Sequence, residues 1–304
     1  SSDLHDLRIP YIFPKAGRFR WQSMIALARY SDAVICTNRE DLQSLDTNLP
    51  SHHIKQFSVN PDGQADKSNM VNQKPSLTLI PLGNNVEPSP PSDFDRVAWR
   101  QQLGLATGSL LLAYFGFLNE SKGGEELIDA LAALRQQGID AHLLFIGGDV
   151  GDADPTNAAY AQRVQTLIAN HHLTDVVHRT GYVDLSQISA NLLAADAVVM
   201  PYSDGVSFRR TTLIAALRHG CPIVTTFPAD ATTTPEIQPG ETMLLAQPHN
   251  ATSLAETIAP LANNPQLRQR LSKGARELGD LFEWGSVAGQ TATLYNTIIT
   301  RKIA

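Results

Sequence analysis

Two stretches of this 304-residue sequence set basic side chains where a helix is about to begin. In FGFLNESKGGEEL, from Phe115, Gly116 closes an apolar run and Lys122 stands just before Gly123, Gly124 and an acid-rich helix start. In AVVMPYSDGVSFRRTTLIAALRHGCPIVTT, from Ala197 to Thr226, the apolar run stops at Pro201. A polar loop then carries Gly205, Ser207, Arg209 and Arg210 into a helical segment that begins near Thr211. The first N–H groups of a helix have no partner inside it and the dipole is positive there, so arginines oppose the dipole unless an anion joins them. Backbone amides, fixed cations and close-approach glycines together read as a phosphate cradle. The alternative, arginines that simply face solvent, stays open.

Both stretches need a strand to end and a helix to start at one edge of a sheet. Apolar runs near Leu110–Phe115, His142–Gly147, Val176–Thr180, Ala197–Met200, Ile223–Thr226 and Met243–Leu245 are separated mostly by helical patterns, which predicts a parallel sheet covered on both faces. Ligands of such sheets bind outside the carboxyl ends of the strands. Upstream, helical spacing of Trp21, Met24, Ile25 and Ala28 precedes a short buried strand, Asp32–Thr37, again in α/β style. Residues 1–9 offer no complete first strand, and the stretch between Pro50 and Gln73, with His52 and His53, reads as a solvated loop. GNNVEPSPPSD, from Gly83, has a linker's composition. The expected division is therefore residues 1–85 as a partial first domain, 86–106 as linker and lead-in, 107–283 as the second domain and 284–304 as a last helix returning to the first.

Composition narrows the class. The chain is 42% hydrophobic and 18% charged, ordinary for a globular protein, and its net charge of −6 argues against nucleic-acid partners, which need a basic face. Residues 8–21 are a local basic and aromatic exception, read either as a loop packed on its own domain or as a weak peripheral membrane contact. Cys36 and Cys221 have no metal-type spacing and read as buried thiols of a cytoplasmic protein. No cofactor or metal is expected: Asp149, Asp152 and Asp154 lack a calcium-loop pattern. Neither glycine-rich turn fits a dinucleotide fingerprint or a Walker A motif.

The order LLAYFGFLNESKGGEELIDAL, HLLFIGG, TGYVDLSQISANLLAADAVVMPYSDG and AALRHGCPIVTT resembles the donor domain of family-4 type retaining glycosyltransferases of GT-B architecture. HDLRIPY and ARYSDAVICTNREDLQSL resemble the back half of that family's acceptor domain, so the chain looks N-terminally incomplete. The resemblance implies an α/β, GT-B-like fold of two Rossmann-type domains, the first partial. It also implies transfer of a hexose-type sugar from a nucleotide diphosphate to an acceptor hydroxyl with retention, in the cleft between the domains.

In such a front-face reaction the departing phosphate oxygen itself can take the acceptor proton, so cations and N–H donors aimed at the phosphates supply much of the catalysis. By resemblance, Lys122 is the phosphate lysine and His5 lies near the transferred sugar. Tyr182 and Val183 form the turn beside the base, and Gly116, Gly205, Ser207, Phe208, Arg209, Arg210, Thr211 and Thr212 line the phosphates. Three residues carry the expected catalysis: His5, Lys122 and Arg209, the last preferred to Arg210 because it lies closer to the Gly205 turn. The sequence also departs from the family. Phe117 stands where the family has an arginine, and the family's two glutamates, eight positions apart, fall on Ser207 and Ala215. The donor is a nucleotide-sugar of undetermined base and the acceptor is unspecified. A non-catalytic module that keeps a phosphate-binding cleft is the alternative.

Overall fold

The computed structural model describes residues 2–4, 17–49, 53–55, 58–59, 65–66, 70–72, 75–148 and 155–303, with side chains for 21–49, 75–148 and 157–300. The chain divides into two compact units, Ser1–Leu82 with Gly285–Ala304, and Gly83–Trp284.

In the first unit, β1 (Ser2–Leu4), β2 (Ala33–Cys36) and β7 (Ser76–Leu79) form a parallel sheet in the order β1-β2-β7. Helix α1 (Gly17–Arg29) buries Ile25 and Ala28 against Val34 and Cys36 of β2, and Leu45 of α2 (Arg39–Asn48) joins the same cluster. Asn38 caps α2 by accepting from the N–H of Asp41 at 2.9 Å, with Glu40 and Asp41 placed where the dipole favours acids. The C-terminal helix α10 (Trp284–Ile303) also belongs here, packing Val287 and Leu294 on Ile35 and Ile80.

Two readings of this unit change. Ser2–Leu4 is a strand, paired in register with Val34–Cys36. The stretch read as a solvated loop contains two small antiparallel ladders, β3 (His53–Lys55) with β6 (Met70–Asn72) and β4 (Ser58–Val59) with β5 (Ala65–Asp66). Backbone pairing at such short strands needs no apolar alternation, so the sequence pattern is silent about it. The basic aromatic segment is described only from Gly17, where it is helix rather than loop, and Trp21 packs on the unit's core.

The second unit is built on a six-stranded parallel sheet in the order β10-β9-β8-β11-β12-β13, from β8 (Leu110–Phe115), β9 (Ala141–Ile146), β10 (Val177–Arg179), β11 (Ala197–Met200), β12 (Ile223–Thr226) and β13 (Leu244–Ala246). Its covering helices are α3 (Arg96–Gln102), α4 (Gly124–Gln136), α5 (Pro155–Asn170), α6 (Leu185–Ala194), α7 (Thr211–Arg218), α8 (Ala251–Ile258) and α9 (Pro265–Gly279). Leu110, Leu112 and Tyr114 of β8 join the core formed with Leu127 and Leu131 of α4, Val164 of α5 and Leu254 of α8. Leu111 and Ala113 are fully buried too, on the opposite face of the same strand. That two-sided burial is why β8, β11 and β12 read as continuous apolar runs without alternation.

The expected linker and lead-in is largely ordered structure of this unit. Asp95 caps α3 by accepting from the N–H of Ala98, and the helix is tied down through Asp196, which receives Arg96 at 2.8 Å and Arg100 at 2.9 Å. Trp99 Nε1 donates to Asn191 Oδ1. No described helix is long and apolar enough to cross a membrane. Cys36 and Cys221 are free and buried, and burial pushes both thiols up to about 12, so neither is a reactive thiolate near neutral pH.

Candidate functional site

Strands β8 and β11 are neighbours at the centre of the second sheet, so the loops that leave their carboxyl ends run side by side. Three glycines allow close approach, Gly123 and Gly116 toward the loop after β11 and Gly205 toward the loop after β12. Gly123, at φ +65°, has no room for a Cβ because the carbonyl of Pro201 fills the place. Gly116, at φ +102°, would put a Cβ 3.1 Å from both Lys122 Nζ and Thr212 Cγ2. Gly205, at φ +82°, would put one 2.5 Å from the carbonyl oxygen of Phe227. Each φ lies where only glycine is unstrained. The loops are further fastened by Ser203 N–H donating to the Ser121 carbonyl at 3.1 Å. Thr226 Oγ1 donates to the Tyr202 carbonyl at 2.6 Å, and Thr225 Oγ1 donates to the Met200 carbonyl.

The helices that follow these loops start uncapped. Asp95, Asp184, Asn250 and Asn264 each accept a backbone N–H at the starts of α3, α6, α8 and α9. By contrast α4 follows Gly123 and α7 follows Arg210, and neither has a side-chain cap. In α4 the Glu125 N–H donates instead to Tyr160 Oη at 3.1 Å, so the loops that touch carry two positive dipole ends, with the N–H groups at the start of α7 left without a side-chain cap.

Two cations stand among them. Lys122 is half-buried and no described acid pairs with it; burial first, and Arg210 second, push its ammonium down to about 8. Arg210 is also well buried, its side chain 12% exposed. Its guanidinium lies 4.4 Å above the ring of Tyr202 and its Nη2 donates to Asp204 Oδ1 at 2.5 Å. Tyr202 is fully buried beneath it, 3.5 Å from Thr212 Oγ1, so Gly116, Lys122, Tyr202, Arg210 and Thr212 form one contiguous group. An anion of two or more charges would satisfy the N–H groups and both cations at once.

The remaining expected residues fall into three sets. Arg209 is half-buried, with its N–H directed to Ser207 Oγ at 3.4 Å, and Thr211 is the exposed first residue of α7; it is Arg210, rather than Arg209, whose charge acts on Lys122. Proximity along the chain to Gly205 is a poor guide here, because Arg210 folds back over Tyr202. Phe208 points inward, 9% exposed and 5.1 Å from the ring of Phe282, so it anchors the loop instead of lining it. Phe117 and Tyr182 are exposed, by 49% and 95%, and Val183 is half-buried beside Tyr182 in the turn after β10. A bridge between Gly147 and Gly181 connects that turn to the end of β9.

At the two positions that differ from the resembled family, Ser207 accepts the N–H of Arg210 through its carbonyl, and Ala215 is fully buried within α7. His5 and the aspartates 149, 152 and 154 lie outside the described residues. Among the described residues no group of three or more His, Cys, Asp and Glu side chains is placed to hold a metal ion. The sequence reading passed over Tyr202 and Asp204; the only signal for them is the Asp204–Gly205 turn pair that sends the chain back beneath α7.

The profile of the family described as glycosyl transferases group 1 matches residues 95–278, well over half of the chain. The chain belongs to that family. This group 1 chain is similar to the D-inositol 3-phosphate glycosyltransferase of Corynebacterium glutamicum, 27% identical over 286 residues, which are 90% of the chain and 59% of that relative. The chain thus spans less than two thirds of the curated relatives it matches first. Among solved structures it resembles sucrose-phosphate synthase from Thermosynechococcus elongatus, with a TM-score of 0.71 and 23% identity over 98% of this chain and 67% of that one. It also resembles Anabaena HepE, determined in complex with UDP and glucose, with a TM-score of 0.74 and 19% identity over 97% and 71% of the two chains. At these identities the likeness is one of fold, and the fold is that of GT-B glycosyltransferases.

Proposed function

We propose that this chain carries the donor site of a retaining glycosyltransferase that moves a hexose-type sugar from a nucleoside diphosphate to an acceptor hydroxyl. The observation that carries the reading is the convergence of two uncapped helix starts with Lys122 and Arg210. As the bond to the leaving diphosphate breaks, negative charge grows on the oxygen that departs. Cations and amides already fixed around it lower that barrier without reorganising. Lys122 and the starts of α4 and α7 hold the diphosphate, Arg210 adds the second fixed charge, and the departing oxygen takes the acceptor proton. Tyr182 and Val183 lie beside the base. UDP is the first candidate donor nucleotide, since HepE was determined with UDP and glucose. No metal is needed in this scheme because the protein's own cations carry the charge.

One observation favours a second reading, a binding module without transfer activity: Ala215, which falls on a family glutamate, presents no hydrogen-bonding side chain and is fully buried. Thermal unfolding with a panel of nucleoside diphosphates tests the binding common to both. A ligand at a hundredfold its dissociation constant adds about 2.7 kcal/mol. Stabilisation by UDP that Lys122→Ala abolishes supports the donor site. No stabilisation by any diphosphate overturns it. Slow release of free sugar from a bound nucleotide-sugar then separates the enzyme from the silent module.

A further inference from the structure

We infer that Asp204 is a built-in counter-ion that occupies Arg210 while the site is empty and is displaced when a diphosphate arrives, so that Asp204 sets how strongly anions bind. The inference rests on the phosphate reading of the site and goes one step into its control.

The geometry on which it stands is the Arg210–Asp204 pair. Two cations are held close enough for Arg210 to depress the ammonium of Lys122, which no described carboxylate neutralises. Arg210 differs. Its guanidinium lies 4.4 Å from the ring of Tyr202, and its Nη2 donates to Asp204 Oδ1 at 2.5 Å. The planar face of the guanidinium is used by the ring and its Nη2 edge by a single bond to the carboxylate, a donor that phosphate oxygens also accept from. A phosphate that binds Arg210 by that edge takes the place of a carboxylate of the same sign.

The two partners are unequally exposed. Arg210 is 12% exposed and pinned against a fully buried ring, whereas Asp204 is 40% exposed and lies in the turn before Gly205. The carboxylate is the more exposed partner and the one an incoming phosphate displaces from Arg210, which leaves the buried cation preorganised for the anion. Without Asp204, two bare cations would repel each other in the empty site. With it, the loop is held ready but the ligand must compete.

Inorganic pyrophosphate is the probe, because it reads the phosphate site without requiring base or sugar recognition. Calorimetric titration of the full chain compares wild type with Asp204→Asn, Arg210→Gln and the double variant. Asp204→Asn is expected to bind pyrophosphate roughly three- to fivefold more tightly, the size of a half-exposed ion pair removed from competition. Arg210→Gln is expected to bind about tenfold more weakly. In the Arg210→Gln background, Asp204→Asn should have little further effect, since its action runs through the arginine. If Asp204→Asn binds equally or more weakly while Lys122→Ala still abolishes binding, the counter-ion role is wrong and the phosphate site stands. If wild type shows no Lys122-dependent pyrophosphate binding, the phosphate site is wrong and the counter-ion role falls with it. Circular dichroism melts of each variant separate a collapsed loop from a changed affinity.

Discussion

The carbonyl of Pro201 occupies the space that a Cβ on Gly123 would need. Through that contact the loop before α4 and the loop before α7 set each other's position. Gly123→Ala must push the two strands' loops apart and also place alanine at φ +65°. It should cost more than about 2 kcal/mol in chemical denaturation and abolish UDP-induced stabilisation. Gly138→Ala, at φ +81° with nothing within 4 Å, is the matched control; it should cost about 1 kcal/mol and leave binding intact.

Lys122 is expected to trade stability for binding. Its folded-state ammonium titrates near 8 against an ordinary value of 10.5, so between those pH values the unfolded chain holds more protons and stability rises with pH. Below about pH 8 the cost of burying the charge is fully present. Lys122→Met should raise the melting temperature of the ligand-free protein at pH 7, and the rise between pH 8 and 10.5 that wild type shows should be missing from its stability curve. The same variant should lose UDP binding in calorimetry. A variant less stable than wild type at pH 7 would refute the account.

Phe208 separates anchoring from contact. It is 9% exposed and packs on Phe282, so Phe208→Ala should cost about 3 kcal/mol of stability, in the range for truncating a buried aromatic, with Phe208→Leu clearly milder. UDP affinity of the Leu variant at a temperature well below melting should stay close to wild type.

Away from the site, His142 and His178 stack 5.4 Å apart on β9 and β10, with Nδ1 of one 3.1 Å from Nε2 of the other. Burial lowers both from the ordinary value of 6.5; His142 also feels Asp140, which raises it, and Arg135 and Arg100, which lower it, while His178 is lowered further by His142. With folded-state values depressed, the unfolded chain takes up protons first as pH falls below 6.5, so the stability present above that value is lost toward the folded-state values. His142→Val should flatten this acid loss, and by NMR the remaining His178 should titrate higher than in wild type. Superimposable stability curves would reject the coupling.

The strands and their parallel order were legible because burial on both faces writes an apolar run that few other elements share, as in LLLAYF of β8 and AVVM of β11. The basic loops were legible as well, since glycines at strand ends and cations at helix starts are costly without a reason. What escaped was direction. Nothing in RR says which guanidinium folds back, because that depends on Tyr202, in β11's exit turn, lying beneath the loop. Phe208 resembled a site residue for the same reason: an aromatic in a polar loop looks exposed until Phe282, distant in sequence, supplies its partner.

Gly83 lies against the indole of Trp284, Asn84 N–H donates to the carbonyl of Phe282 at 2.9 Å, and Trp284 Nε1 donates to the carbonyl of Asn84 at 2.6 Å. The polypeptide thus enters and leaves the second unit through one doorway, with its first and last residues bonded to each other. In genetic terms that unit is a cassette. A single uninterrupted piece of coding sequence, residues 83–284, can be exchanged among relatives without stretching either connection, because its ends are already stitched together inside the piece that moves. Recombination at Gly83 and Trp284 would therefore pair this unit with other first units while leaving these bonds intact.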